Sequence, residues 1–130
     1  MCVGVFQEVY NSDNQVCFLN HIEDMVWMFG KMYRRMFLDR HNIRFHETSR
    51  ANEDAGFNTL CKLYSSENEQ IIFIEDTVYF WCNMNENSIT RRDDCYYSFS
   101  GEKDGSFYGY IENMIRSIKQ VLNDPTIRDH

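Results

Sequence analysis

Apolar and polar residues alternate through the first twenty positions, with Val3, Val5 and Val9 on one side of the run Asn11-Ser12-Asp13-Asn14 and Val16 to Leu19 on the other. A period of two around a cluster of turn-forming side chains predicts a β-hairpin. The period then changes. Ile22, Met25, Val26, Phe29, Met32, Tyr33, Met36 and Phe37 recur at steps of three and four, which predicts one long helix over 21–39. Asn20 suits its cap, Glu23 and Asp24 suit the positive end of its dipole, and Lys31, Arg34 and Arg35 suit its later turns. Trp27 and Met28 widen the stripe beyond one flank, as a second packing layer or a partner-facing edge would require.

A polar connection follows, with room for a short strand over 43–45. Phe57, Leu60, Cys61 and Tyr64 then share one helical face and predict a helix over about 53–65. Ile71-Ile72-Phe73-Ile74 and Thr77-Val78-Tyr79-Phe80-Trp81-Cys82 are β-branched and aromatic on both sides of Glu75-Asp76, the pattern of a hairpin with an acidic turn. Asp94-Cys95-Tyr96-Tyr97-Ser98-Phe99 alternates as a further strand. The last helix is expected over 107–123, burying Tyr108, Ile111, Met114, Ile115, Ile118 and Leu122 and stopped by Pro125. Strand runs joined by short turns predict an α+β fold. Its mostly antiparallel sheet of about five strands carries two long helices and one shorter helix, all in a single domain over 1–130.

A hydrophobic fraction of 43% and an aromatic fraction of 15% in a chain of 130 residues supply a full core and argue against disorder. No apolar stretch approaches the roughly 18 residues of a membrane span, and the N-terminus lacks a basic flank and an apolar signal core. The expectation is a cytoplasmic protein. Cys2, Cys17, Cys61, Cys82 and Cys95 are odd in number and scattered through apolar runs, as reduced thiols serving as small core residues would be.

Charge narrows the function classes. Thirteen basic against twenty acidic residues leave a net charge of -7, which disfavours phosphate backbones and anionic membranes and favours a basic protein partner. The basic residues Lys31, Arg34, Arg35, Arg40, Arg44 and Arg50 cluster together, and the segment 51–86 is acidic. Tyr33, Phe37 and Phe45 interleave the basic cluster, but most of these rings fall on the helical stripe expected to be buried.

Catalytic chemistry finds little footing. His41 and His46 stand five apart without a C-x-x-C or H-E-x-x-H partner and read as solvated loop histidines, so no metal is expected. There is no G-x-S-x-G elbow, the glycines form no phosphate cradle, and the acidic pairs suit caps and surface. No cofactor is expected and no enzyme. The alternative, a small hydrolase using His41 or His46 with nearby carboxylates, requires those side chains to converge. The interface candidates are Glu67, Glu69, Glu75, Asp76 and Glu86 around the aromatic residues Tyr79 and Trp81, because acids steer basic partners and exposed rings anchor them.

Val78-Tyr79-Phe80-Trp81 and the later Ser106-Phe107-Tyr108-Gly109-Tyr110-Ile111 give the C-terminal half a resemblance to the SUKH superfamily of bacterial toxin-immunity proteins. What the resemblance implies is a small protein that binds a cognate toxin domain, in many cases a nuclease with a basic cleft, and blocks it. A phage- or virus-encoded inhibitor of a host defence enzyme would have similar surface chemistry.

Overall fold

Asp13 and Asn14 both take up positive φ, 50° and 63°, and so form the two-residue turn whose twist matches an antiparallel hairpin. They join β1 (Cys2–Ser12) to β2 (Gln15–His21), with Ser12 opposite Gln15 and Phe6 opposite His21. This hairpin is the one expected from the alternation. The computed structural model describes residues 1–46, 52–65, 69–82 and 105–127.

The 21–39 helix does not form as expected. β2 runs on through His21, whose ring stacks on Phe6 at 4.2 Å, and Glu23 and Gly30 adopt φ of 54° and 65°, outside any right-handed helix. The Asp24 carboxylate accepts the backbone N–H groups of Val26 and Trp27, so it caps a local turn where the sequence pointed to Asn20 and Glu23 as caps. A two-residue strand β3 (Lys31–Met32) then pairs antiparallel with Cys2 and Val3, and only α1 (Arg35–Arg40) is helical. The apolar positions are divided among a loop, a strand and α1, and Ile22, Met32 and Met36 are exposed. Residues 43–45 are irregular, not a strand, and Ile43 is buried there.

Helix α2 (Glu53–Leu63) matches its expected position, and Phe57, Leu60, Cys61 and the following Tyr64 are all buried. With Phe37 and Ile43 they form the main core, against which Met1, Met28, Tyr33, Leu38, Val121 and Ile127 pack. Burying each large side chain stabilises by about 1.5–3 kcal/mol. Cys61 belongs to this core and its thiol is pushed up to about 12 by burial, whereas Cys2 and Cys17 are half-buried and Cys82 is exposed. All four are free thiols, but of these four only Cys61 is the buried core residue expected of them.

The expected 71–82 hairpin is instead one continuous strand, β4 (Ile72–Cys82), parallel to β1. A two-residue hairpin turn of the common types needs positive φ, and neither Glu75 nor Asp76 has it. The pairing steps from Gly4 opposite Ile74 to Val5 opposite Thr77, so the two acids bulge out of the ladder and are exposed. The next step, to Phe6 opposite Tyr79, leaves Val78 over Gly4, where any Cβ would collide with both Val78 methyl groups. Among the described residues two ladders are antiparallel and one is parallel, in a four-stranded sheet centred on β1, and the helices between β3 and β4 provide the crossover that a parallel pair requires. The strand expected over 94–99 lies outside the described residues.

Helix α3 (Gly105–Asn123) is where the sequence placed it, but of the expected stripe Met114 turns inward, onto Thr59, and most of the rest does not. Among its described side chains Asn113 and Ser117 are buried, while Ile111, Ile115, Ile118 and Leu122 are exposed. The cause lies on α2. Gly56 has no side chain, so the α3 backbone comes close enough for the Ser117 hydroxyl to reach the Gly56 carbonyl at 2.8 Å, and a Cβ at Gly56 would meet that of Asn113 at 3.0 Å. At that point α3 presents Asn113 and Ser117. Among the described residues no helix is long and apolar enough to cross a membrane.

Candidate functional site

One face of β4 carries a stack of aromatic rings. Tyr79 stands opposite Phe6 and Trp81 opposite Glu8 in the parallel ladder, two residues apart and therefore on the same side of the strand. The 22–30 loop lays Trp27 and Phe29 over them. Phe29 stacks on Tyr79 at 5.0 Å and 4° and on Trp81 at 5.4 Å, meets Phe6 edge-on, and lies parallel to Trp27 at 5.9 Å. Trp27 and Trp81 are themselves 5.4 Å apart. Contacts of this kind are worth about 0.5–1.5 kcal/mol each beyond area burial, so the rings are held in place before any partner arrives.

The loop is fixed from two sides. From α2, the buried Asn58 amide donates to the Val26 carbonyl at 2.7 Å and the Trp27 carbonyl at 3.2 Å, and its oxygen accepts the Tyr33 hydroxyl at 2.5 Å. From β3, the Lys31 ammonium donates to Asp24 Oδ1 at 3.2 Å and to the Trp27 and Phe29 carbonyls. Burial lowers the Lys31 pKa and Asp24 opposes that shift; burial raises that of the Tyr33 phenol.

Of the residues singled out in the sequence, Glu75, Asp76, Tyr79 and Trp81 lie on β4. Glu75 and Asp76 are exposed at its bulge, Tyr79 is 42% exposed, and Trp81 is half-buried under the loop. Glu69 is elsewhere: its carboxylate takes Arg40 Nη1 at 2.6 Å and His41 Nε2 at 2.9 Å, and its side chain is largely covered. Glu69 ties the entry of β4 to α1 and does not join the aromatic face. Glu67 and Glu86 lie outside the described residues. Trp27, Phe29, Asn58 and Lys31 were not read as site residues; the wide stripe at Trp27 and Met28 was the one sequence signal that pointed to them.

The two loop imidazoles do not share a site. His41 stacks on Tyr64 at the C-terminal end of α2, and the Tyr64 hydroxyl donates to Asp124 at 2.8 Å. His46 faces Ser117 beside Gly56, in the first turns of α2. Among the described residues no three His, Cys, Asp or Glu side chains are placed to hold a metal ion.

Burial, and then the Arg116 cation, lower the pKa of His46 from 6.5. Between the folded value and 6.5 the unfolded chain holds more protons, so stability should fall as pH drops through that window. The opposite case is Asp54, whose carboxyl burial raises its pKa and whose contribution therefore increases on acidification. Subtracting the urea midpoints of His46→Gln from those of the wild type at neutral and mildly acidic pH isolates the histidine. The difference should move against the wild type in acid; a constant difference would remove His46 as the cause.

No protein-family model, no curated protein and no solved structure matches the chain.

Proposed function

We propose that this chain is an acidic immunity- or inhibitor-type protein that binds and occludes a basic protein partner, a toxin domain such as a nuclease, through the outward face of β4. The observation that carries the reading is the bulge, which sets Glu75 and Asp76 out from the ladder on the strand that bears Tyr79, exposed and stacked on Phe29. Carboxylates there steer a basic surface toward rings already stacked in place. Little ordering entropy is then lost on docking, which favours slow dissociation. The net charge of -7 and the resemblance of the Val78-Tyr79-Phe80-Trp81 strand to toxin-immunity proteins point the same way.

The experiment is titration calorimetry of the purified chain against the product of its neighbouring gene, with toxicity of that product scored in cells with and without the chain. A complex is expected whose association rate falls steeply with salt. Glu75→Lys/Asp76→Lys should slow association about tenfold or more while leaving the fold intact, because both side chains are exposed. No complex, together with a harmless neighbour, would overturn the reading.

A further inference from the structure

Helix α3 carries two apolar rows, and only one of them, with Met114 on Thr59 of α2 and Val121 on the core, turns inward. It turns Asn113 and Ser117 inward, at 2% and 0% exposure, and leaves Ile111, Ile115, Ile118 and Leu122 between 38% and 64% exposed. A globular helix that packs only on its own domain buries its apolar stripe. Here the stripe advances in steps of four, three and four residues, the spacing of the apolar seam in paired helices, and from Ile111 to Leu122 it runs for about 17 Å at 1.5 Å per residue.

We infer that α3 is the seam of a symmetric homodimer, its occupant being the α3 of a second copy in antiparallel orientation. The steps read the same from either end. A two-fold axis between positions 116 and 117 therefore sets Ile111 opposite the second copy's Leu122 and Ile115 opposite the second copy's Ile118, filling every layer with aliphatic side chains. Such an interface is self-complementary, as two-fold symmetry demands. The flanking charges agree. Glu112 and Lys119, both exposed, directly follow the seam residues Ile111 and Ile118 and so lie on the same side, and the antiparallel arrangement brings Glu112 alongside the second copy's Lys119 twice over. A parallel arrangement would set Lys119 beside Met114 and gain no ion pair. The dimer seam and the β4 face use different elements, so this inference does not rest on the proposed function.

The test is sedimentation equilibrium of the full chain over a concentration series. A species of twice 15.7 kDa is expected, with Ile115→Glu/Ile118→Glu weakening self-association at least a hundredfold while the helical circular dichroism is kept. Glu112→Lys and Lys119→Glu should each weaken the dimer, and the double exchange should restore it, since it swaps the two ends of each intermolecular pair. A parallel seam or a contact elsewhere gives no such rescue. A wild-type monomer at all concentrations overturns the inference, as does a dimer indifferent to both seam substitutions. A monomer whose stability collapses with Ile115→Glu assigns the stripe to this chain's own packing, and loss of binding to a basic protein with no change in self-association assigns it to a different partner; either result also overturns it.

Discussion

Asn58→Ala is expected to cost about 3 kcal/mol of stability and to disorganise the aromatic face, although Asn58 touches none of the β4 rings. The side chain is fully buried on α2 and serves three groups at once: the carbonyls of Val26 and Trp27, and the hydroxyl of Tyr33. Truncation leaves those groups without their partner where water does not replace it, and each unsatisfied group costs about 1–3 kcal/mol. Tyr33→Phe removes one bond and should cost only about 1 kcal/mol, so the ratio of the two separates the network from a single contact. The readout is direct because the chain's two tryptophans, Trp27 and Trp81, face each other at 5.4 Å across the loop that Asn58 holds. Asn58→Ala should therefore shift tryptophan emission and lower the urea midpoint together. An unchanged spectrum with a lowered midpoint would mean that Asn58 supports the helical core alone.

That dependence explains which parts of the molecule could be read from the chain. The β1–β2 hairpin was legible because Asp13 and Asn14 settle their turn locally, and α2 because Phe57, Leu60, Cys61 and Tyr64 face one core. Periodicity failed over 21–39 because it counts positions and is blind to φ, and Glu23 and Gly30 leave the helical region. The facing of α3 was legible only in part for another reason: Gly56 brings α3 in on Asn113 and Ser117, so Met114 turns inward while Ile111, Ile115, Ile118 and Leu122 stay exposed. Of the site, Tyr79 and Trp81 were visible with the acids at the bulge. Phe29, Asn58 and Lys31 were not, since their roles come from contacts such as Asn58 to Val26, 32 residues apart, that no local pattern encodes. Glu69 looked like a surface acid only because Arg40 and His41, its partners, lie on the far side of α2 in the sequence.

Lys31→Met should be as damaging as any single change to the loop, at about 3–5 kcal/mol, because it breaks a covered ion pair and leaves its acid behind. The Lys31 side chain is 0% exposed, and its ammonium holds Asp24 together with the Trp27 and Phe29 carbonyls, while the same Asp24 oxygen accepts the Val26 and Trp27 N–H groups. Adding Asp24→Asn to Lys31→Met removes the stranded charge and should recover part of the loss, which a purely steric role for the lysine would not allow. The pH dependence gives a second, independent check. Burial outweighs the Asp24 attraction and lowers the Lys31 pKa below 10.5, so in alkaline solution the unfolded chain holds the extra proton and this group's contribution rises with pH toward 10.5. Tyr33 and Cys61 work in the opposite direction, since burial raises both, and a wild-type curve alone mixes the three. Subtracting the Lys31→Met curve cancels the shared part, and the remaining difference should widen as pH climbs through that window. A difference that narrows would mean that the ion pair with Asp24, and not burial, governs the lysine, and that the loop is held by charge more than by the hydrogen bonds to its carbonyls.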